Sequence, residues 1–231
     1  MRHRLTTICY YVSDCGYEHA ARSLAIIRSM LSQAERQVRL IVCSARLLPF
    51  LVQSLAGHEG AVEFHRTSSD LGSVIQEGAA LADRTRFRVE YMKYMRLFPY
   101  FIDMEYRFLR QARIDLIVSD ISPIPFAAAK LIRAPSVGIS NYTWYTAYKS
   151  LLEQSWLEPL YRAYEQMDYF IGLPGAKEPL WGKKEHLQTG LNLRQITNYL
   201  FELPGMNREI AFAVEREESL FHSEFPKGES C

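Results

Sequence analysis

The fold of this chain is decided by residues 6–22, TTICYYVSDCGYEHAAR. An apolar run predicts a β-strand, a short loop contains Gly16, and the following residues predict the start of an amphipathic helix. In a parallel α/β sheet, ligands bind beyond the carboxyl ends of the strands, where free N–H groups of helix N-termini attract anions. We therefore expect Gly16, His19 and Arg22 at the active edge of such a sheet. A plain strand-to-helix turn with a capping role is the alternative.

Composition and length indicate one globular unit, either one large domain or one domain with an appendage. The 231 residues are 48% hydrophobic and 23% charged, with a net charge of +1, whereas a nucleic-acid-binding module normally carries a basic stripe. No apolar run reaches the roughly 18 residues that span a bilayer, and the N-terminus does not resemble a signal peptide. We expect a cytoplasmic protein without a membrane span or a nucleic-acid partner. The four cysteines form no CxxC pair and no zinc-spaced cluster, so neither a metal nor a cofactor is predicted.

Strand and helix signals alternate along the chain. Predominantly apolar stretches predict parallel strands at 8–12, 38–43, 61–65, 114–119, 136–140 and 169–173. The stretch 38–43 is continuously apolar apart from Arg39, as expected for a strand covered on both faces. Helical periodicity predicts helices at about 18–32, 47–55, 84–113, 123–132 and 147–167. This order predicts a three-layer α/β/α, Rossmann-like domain with a mainly parallel sheet over residues 1–190, followed by a helical tail over 191–231.

Two helical segments carry apolar stripes that need a partner. Aromatic residues recur along 84–113, and packing in the core is favoured over a ligand platform; Pro99 is expected to kink or split this helix. In the tail, a helix from about Asn207 to Glu224 is expected to dock on the domain or to meet a partner chain. Its apolar face consists of Ile210, Val214, Phe221 and Phe225.

Three segments together carry a family resemblance: CYYVSDCGYEHAARS at 9–23, DLIVSDISPIPFAAAKLIRAPSVGISNYTWYTAY at 115–148, and DYFIGLPGAKEPLWGKKEHLQTG at 168–190. Over about residues 8–190 the chain resembles the N-terminal half of a GT-B glycosyltransferase. The likeness is closest to the glycosyltransferase-like domain at the front of plant-type L-arabinokinases. It is more distant to the bacterial transferase that adds N-acetylglucosamine to the lipid-linked muramyl peptide.

This resemblance implies two Rossmann-like domains facing each other across a cleft, the first binding a sugar acceptor and the second a nucleotide-sugar donor. The first loop of the family has the form G-x-G-(F/Y)-G-H-(A/S)-x-R, and it is matched here by Gly16, Tyr17, His19, Ala20 and Arg22. Asp14 and Glu18 replace two of its glycines. We expect these acidic residues to restrict the approach of a phosphate to the loop.

About 40 residues follow Gly190, which is too few for a second doubly wound domain. We therefore expect this chain to act as an acceptor-binding half. A second Rossmann-like domain, a partner chain or a homo-oligomer would supply the donor side. The expected partners are a sugar acceptor and, through that second half, a nucleotide-sugar.

Glycosyl transfer needs a base that takes the proton of the acceptor hydroxyl. His19 is the candidate base and Asp120, at the end of a predicted strand, is the candidate residue that orients its ring. The alternatives are a His19 bonded to a backbone carbonyl and an Asp120 that caps the next helix.

Further substrate-binding candidates lie on the same predicted edge. Asn141, Tyr142 and Trp144 follow the next strand. The Asn141 amide and the Trp144 indole ring suit a sugar, and the alternative is an aromatic cluster that closes the core. The family loop adds Gly16, Tyr17 and Arg22.

Three functions remain open from the sequence. The first is the acceptor-binding half of a sugar transferase, and the second is a non-catalytic module that binds a sugar or a nucleotide-sugar. The third is a dinucleotide-dependent oxidoreductase, which is weakened because no G-x-G-x-x-G follows the first strand.

Overall fold

The computed structural model describes residues 5–34, 38–68, 84–190, 192–204 and 206. These residues contain seven strands: β1 (Thr6–Tyr11), β2 (Val38–Ser44), β3 (Val62–Arg66), β4 (Leu116–Ser119), β5 (Ser136–Ser140), β6 (Tyr169–Gly172) and β7 (Glu185–Gln188). They also contain seven helices: α1 (Tyr17–Gln33), α2 (Leu48–Ser54), α3 (Arg84–Ala112), α4 (Ile124–Ile132), α5 (Trp144–Tyr148), α6 (Gln154–Tyr164) and α7 (Leu193–Glu202).

The strands form one sheet in the order β3-β2-β1-β4-β5-β6-β7, and every neighbouring pair is parallel. The predicted α/β class with a parallel sheet is therefore confirmed. The order in which strands are added reverses between β1 and β4. From β1 the chain adds β2 and β3 on one side, and it then crosses to add β4, β5, β6 and β7 on the other side. In doubly wound sheets the crevice at this reversal is where ligands bind.

Helices cover both faces of the sheet, so the central strands are buried on both sides. Ile8 and Tyr10 of β1 belong to the cluster formed with α1, α2 and α7. Cys9 and Tyr11 point to the opposite cluster, which is built with α3 and α4. This alternation explains why β1 carries apolar residues on both of its faces.

The long helix α3 passes through Pro99 without being split. Its buried residues Phe87, Tyr91 and Phe98 pack in an aromatic cluster with α4, α5 and α6, so the core interpretation of the aromatic stripe is confirmed. Glu105 anchors the other half of α3, because its carboxylate accepts a hydrogen bond of 2.6 Å from Tyr11 Oη on β1.

The structure differs from the sequence prediction in its last third. Residues 147–167 do not form one helix, since α5 and α6 are separate elements. The strand β7 was not predicted. The helix α7 lies within the predicted helical tail of 191–231, although the only tail helix given bounds was the one at 207–224. Helix α7 packs against α1 and buries Ile196, Leu200 and Phe201. The tail helix predicted at 207–224, with its apolar stripe, lies outside the described residues.

The described residues contain neither a membrane-spanning helix nor a cluster of metal-binding side chains. Among them, no helix combines the length and the apolar character needed to cross a bilayer. The same residues hold no group of three or more His, Cys, Asp or Glu side chains arranged around a common metal position.

Candidate functional site

The candidate site lies at the reversal of strand order, where β1, β4 and β5 end. Gly16 is the N-cap of α1, with φ 152° and ψ 164°, a backbone conformation that glycine adopts far more readily than other residues. The chain then turns into α1 so that His19 and Arg22, one helical turn apart, face the ends of β4 and β5. The fold thereby brings residues 16, 19, 22, 120 and 141 to one edge, as predicted.

Asp120 is the centre of this site. It is 1% exposed, and its backbone N–H donates to Tyr11 O at 2.9 Å, which fixes it between β1 and β4. Its Oδ1 accepts a hydrogen bond from Arg22 Nη2, and its Oδ2 lies 3.0 Å from His19 Nδ1 and 3.3 Å from Ser23 Oγ. The structure thus pairs the predicted His19 with the predicted Asp120, and it adds Arg22 as a second cation on the same carboxylate.

The ring of His19 is enclosed on both sides. Its Nε2 lies 3.0 Å from Tyr142 Oη, and the residue is 2% exposed. Burial lowers the pKa of His19, but interactions with Asp120 and Cys15 outweigh burial and raise the pKa from 6.5 to about 10. At neutral pH both ring nitrogens therefore carry protons, and the ring donates to Asp120 and Tyr142. In this arrangement the His19 ring acts as a hydrogen-bond donor, and it can act as a base only after it has lost one of its two protons.

The raised pKa of His19 predicts how stability depends on pH. Between about pH 6.5 and pH 10 the folded state keeps a proton that the unfolded state has lost, so stability falls as the pH rises. We expect the stability advantage of the native chain over His19→Gln to shrink by about 1 to 3 kcal/mol between pH 7 and pH 9. Urea unfolding of both proteins measures it, and an advantage that stays constant over this range would contradict the assignment.

A strained residue follows Asp120. Ile121 has a φ of +69°, which is a true outlier for a β-branched side chain. The conformation is held by Tyr164 of α6, whose Oη donates to Ile121 O and accepts a 3.1 Å hydrogen bond from Trp144 N. Such strain persists only where surrounding contacts enforce it. Here it turns the chain sharply, directly after the carboxylate that organises the site.

The loop after β5 supplies Asn141 and Tyr142. Arg22 Nη1 donates to Asn141 Oδ1 at 3.1 Å, so Arg22 links the loops after β4 and β5. Glu178 fixes the same loop from below: its carboxylate accepts from Thr143 N at 2.9 Å and Thr143 Oγ1 at 2.7 Å. The loop is therefore held in place before any ligand binds.

The acidic replacements in the first loop have distinct positions. The Asp14 carboxylate fills a pocket of donors after β2, where Ser44 Oγ lies at 2.7 Å and the N–H of Arg46 at 2.9 Å. The Glu18 carboxylate folds back over Gly16, so closely that its oxygens occupy the space a Cβ at residue 16 would need. Both carboxylates hold positions near the loop where an anion would otherwise approach.

Two predicted substrate-binding residues lie away from this network. Tyr17 is 64% exposed and meets the edge of Phe50 at a ring distance of 5.2 Å. Trp144 is 1% exposed and stacks on Tyr148 at 5.4 Å, because α5 turns its indole into the aromatic cluster. This is the core alternative that the sequence left open, and in this position Trp144 presents no ring face to a sugar.

Ser23 and Glu178 were not proposed as site residues from the sequence, and Tyr142 was expected at this edge without an assigned role. Tyr142 had a signal, since it stands between the two predicted residues Asn141 and Trp144. Ser23 lies one residue after Arg22, yet its contact with Asp120 depends on how α1 is rotated. Glu178 lies 35 residues beyond the loop it holds, and no local pattern connects the two.

Comparison with known proteins finds distant similarity. No family model matches the chain. L-arabinokinase of Arabidopsis thaliana is 24% identical over 174 residues, which is 72% of this chain and 16% of that protein. The chain thus spans less than a fifth of the curated relative.

Several solved structures are also similar to this chain. UGT89C1 of Arabidopsis thaliana, complexed with UDP-L-rhamnose, has 14% identity and a TM-score of 0.47, covering 73% of this chain and 44% of that one. MurG of Acinetobacter baumannii has 9% identity and a TM-score of 0.44, covering 80% and 45%. Spinosyn forosaminyltransferase SpnP has 13% identity and a TM-score of 0.44, covering 82% and 51%.

Proposed function

We propose that this chain is a glycosyltransferase-like domain that binds a sugar acceptor, acting as one half of a nucleotide-sugar-dependent transferase. The observation that carries the proposal is the network of His19, Arg22, Asp120 and Asn141 at the reversal of strand order. His19 and Arg22 are the residues that match the first loop of GT-B glycosyltransferases. The partial similarity to L-arabinokinase supports the same assignment.

Each residue has a role in this proposal. Asn141 and Arg22 bind hydroxyl groups of the acceptor, because an amide and a guanidinium offer donors in fixed directions. Asp120 positions both His19 and Arg22. His19 becomes the base that accepts the hydroxyl proton only after its own proton has left, since its pKa is raised to about 10. A second Rossmann-like domain or a partner copy binds the nucleotide-sugar.

Ligand binding tests the proposal directly. L-arabinose is the first probe, taken from the name of the relative, beside N-acetylglucosamine, UDP-glucose and NAD⁺. We expect a sugar to raise the melting temperature and to bind by calorimetry, while NAD⁺ has no effect. Asn141→Ala should weaken sugar binding at least tenfold, because it removes a direct contact. Gln111→Ala, an exposed amide on the last turn of α3, is the matched control and should bind as the native chain does.

Binding of NAD⁺ without any sugar would overturn the proposal in favour of an oxidoreductase. Equal weakening by Asn141→Ala and Gln111→Ala would remove the assigned site, even if a sugar binds.

We also expect the 231-residue chain alone to show no sugar transfer. In the described arrangement His19 is protonated and Tyr142 closes its Nε2, so no base faces an incoming hydroxyl. Incubation with UDP-glucose and a bound acceptor, followed by mass spectrometry of the products, measures it. The expectation would be contradicted if the native chain transferred sugar faster than the reaction without protein and if His19→Gln lost this activity. The isolated chain would then catalyse sugar transfer by itself.

A further inference from the structure

A polar cavity lies at the opposite edge of the sheet from the candidate site. It has a volume of about 360 Å³ and opens where α4 ends and where β5, β6 and β7 begin. Its charged lining consists of Lys130, Arg133, Lys183, Lys184 and Asp168. Since the whole chain carries a net charge of only +1, four cations around one small cavity are a local concentration of positive charge.

The floor of the cavity is rigid because Asp168 ties its loops together. Asp168 Oδ2 accepts from Ser136 N at 3.1 Å, and Asp168 Oδ1 lies 3.2 Å from Lys184 Nζ. Lys184 N donates to Asp168 O at 2.8 Å, and Lys183 Nζ donates to Gln166 Oε1 at 3.0 Å. One carboxylate therefore organises the loops without balancing the four cations.

Lys130 and Arg133 form the other wall, and both side chains are exposed. Neither makes an ion pair with a carboxylate of the described residues. Basic residues often stand at a helix C-terminus to offset its dipole. Here, however, the end of α4 is already capped by backbone groups: Arg133 N donates to Lys130 O at 3.3 Å, and Ala134 N donates to Ala129 O at 3.2 Å. The two side chains remain available to a ligand.

We propose that this cavity binds a small phosphorylated molecule through its phosphate group. The four cations around this cavity repel one another. A phosphate dianion placed between them attracts each cation and thereby offsets their mutual repulsion. Arg133 offers a planar fork that matches two phosphate oxygens, while Lys130 acts as a point charge. The volume lies at the lower end of small-molecule sites, which run from about 300 to 1,000 Å³, so a small ligand fits better than a protein segment. This site is independent of the proposed acceptor site.

Titration of the full chain with inorganic phosphate and with glucose 6-phosphate tests the proposal, with glucose as the neutral control and sodium chloride holding ionic strength constant. We expect both phosphates to shift the backbone amide resonances of residues 130–134, 136, 166–168 and 183–185 until the site is saturated, whereas glucose leaves these resonances unchanged. The double variant Lys130→Ala/Arg133→Ala should raise the Kd at least tenfold. Its melting temperature should not change, because both side chains are exposed.

The double variant Lys93→Ala/Arg107→Ala removes the same charge from exposed positions of α3 and should bind phosphate as the native chain does. Equal weakening by both double variants would overturn the proposal, since general electrostatics would then explain the binding. Binding of poly-glutamate without binding of either phosphate would also overturn it and would indicate an acidic protein partner. Shifts confined to the amides of residues 14–22 would place phosphate at the first loop, and this outcome would also overturn the proposal for this cavity.

Discussion

Replacing Asp120 with alanine is expected to destabilise the fold by about 3 to 5 kcal/mol. The carboxylate is buried and carries His19, Arg22 and Ser23 at once. Its removal leaves His19 and Arg22 close together without a counter-charge, and His19 is buried. The resulting loss of stability is well above the contribution of an exposed ion pair. The pKa of His19 should fall as well, because burial and Arg22 continue to lower it while the contribution of Asp120 is gone.

Urea unfolding and an NMR titration of His19 measure the two effects. Asp120→Asn keeps the shape of the side chain and is expected to lose less stability while still lowering the pKa of His19. Asp103→Ala removes an exposed carboxylate that pairs with Arg107 on α3, and it should change stability by less than about 0.5 kcal/mol. If Asp120→Ala behaved like Asp103→Ala, Asp120 would not be the organising residue of this site.

Much of this site was predictable because parallel sheets have a simple rule. Successive strands that end in polar residues bring those residues to one edge, so His19 after β1 and Asp120 after β4 were expected to meet. The strand β5 was predicted with its observed bounds, Ser136–Ser140, because Val137 and Ile139 lie between Pro135 and the polar loop that begins at Asn141. The strand order, with β1 beside β4, then places the pair at the reversal.

Other elements carry too little local signal. The strand β7 reads EHLQ and has one apolar residue, so it is specified by pairing with β6 and not by its own sequence. Helix α7 has ten residues, and its buried residues are informative only once α1 is present to receive them. The split between α5 and α6 falls at residues 149–153, where Leu151 and Leu152 continue the apolar pattern and conceal the break.

Side-chain direction is the remaining gap between sequence and site. Trp144 follows β5 as predicted, yet α5 begins at that residue and rotates its ring into the core. Tyr142, two residues earlier, points at His19 instead. A shift of two residues across a helix start decides which aromatic ring faces the site, and neither composition nor periodicity records that rotation.

Asp14, which stands where the first-loop pattern that the sequence resembles has a glycine, has a structural role. The sequence suggests only that an acidic residue there obstructs a phosphate. In the structure the carboxylate is 7% exposed and accepts hydrogen bonds from Ser44 Oγ and from the backbone N–H groups of Ala45, Arg46 and Leu47, at 2.7 to 3.1 Å for the shortest contact of each. Four donors converge on one side chain, so Asp14 joins the ends of β1 and β2 to the start of α2.

Asp14→Ala is therefore expected to destabilise the fold by about 3 to 5 kcal/mol, because donors left unsatisfied on burial cost about 1 to 3 kcal/mol each and part of this loop regains water. Urea unfolding measures the loss. Acetate restores the missing carboxylate, so the variant should regain part of its stability in sodium acetate but not in sodium chloride of equal ionic strength, while the native chain responds equally to both salts. A loss below about 1 kcal/mol, or no difference between the two salts, would mean that these four donors do not depend on the Asp14 carboxylate.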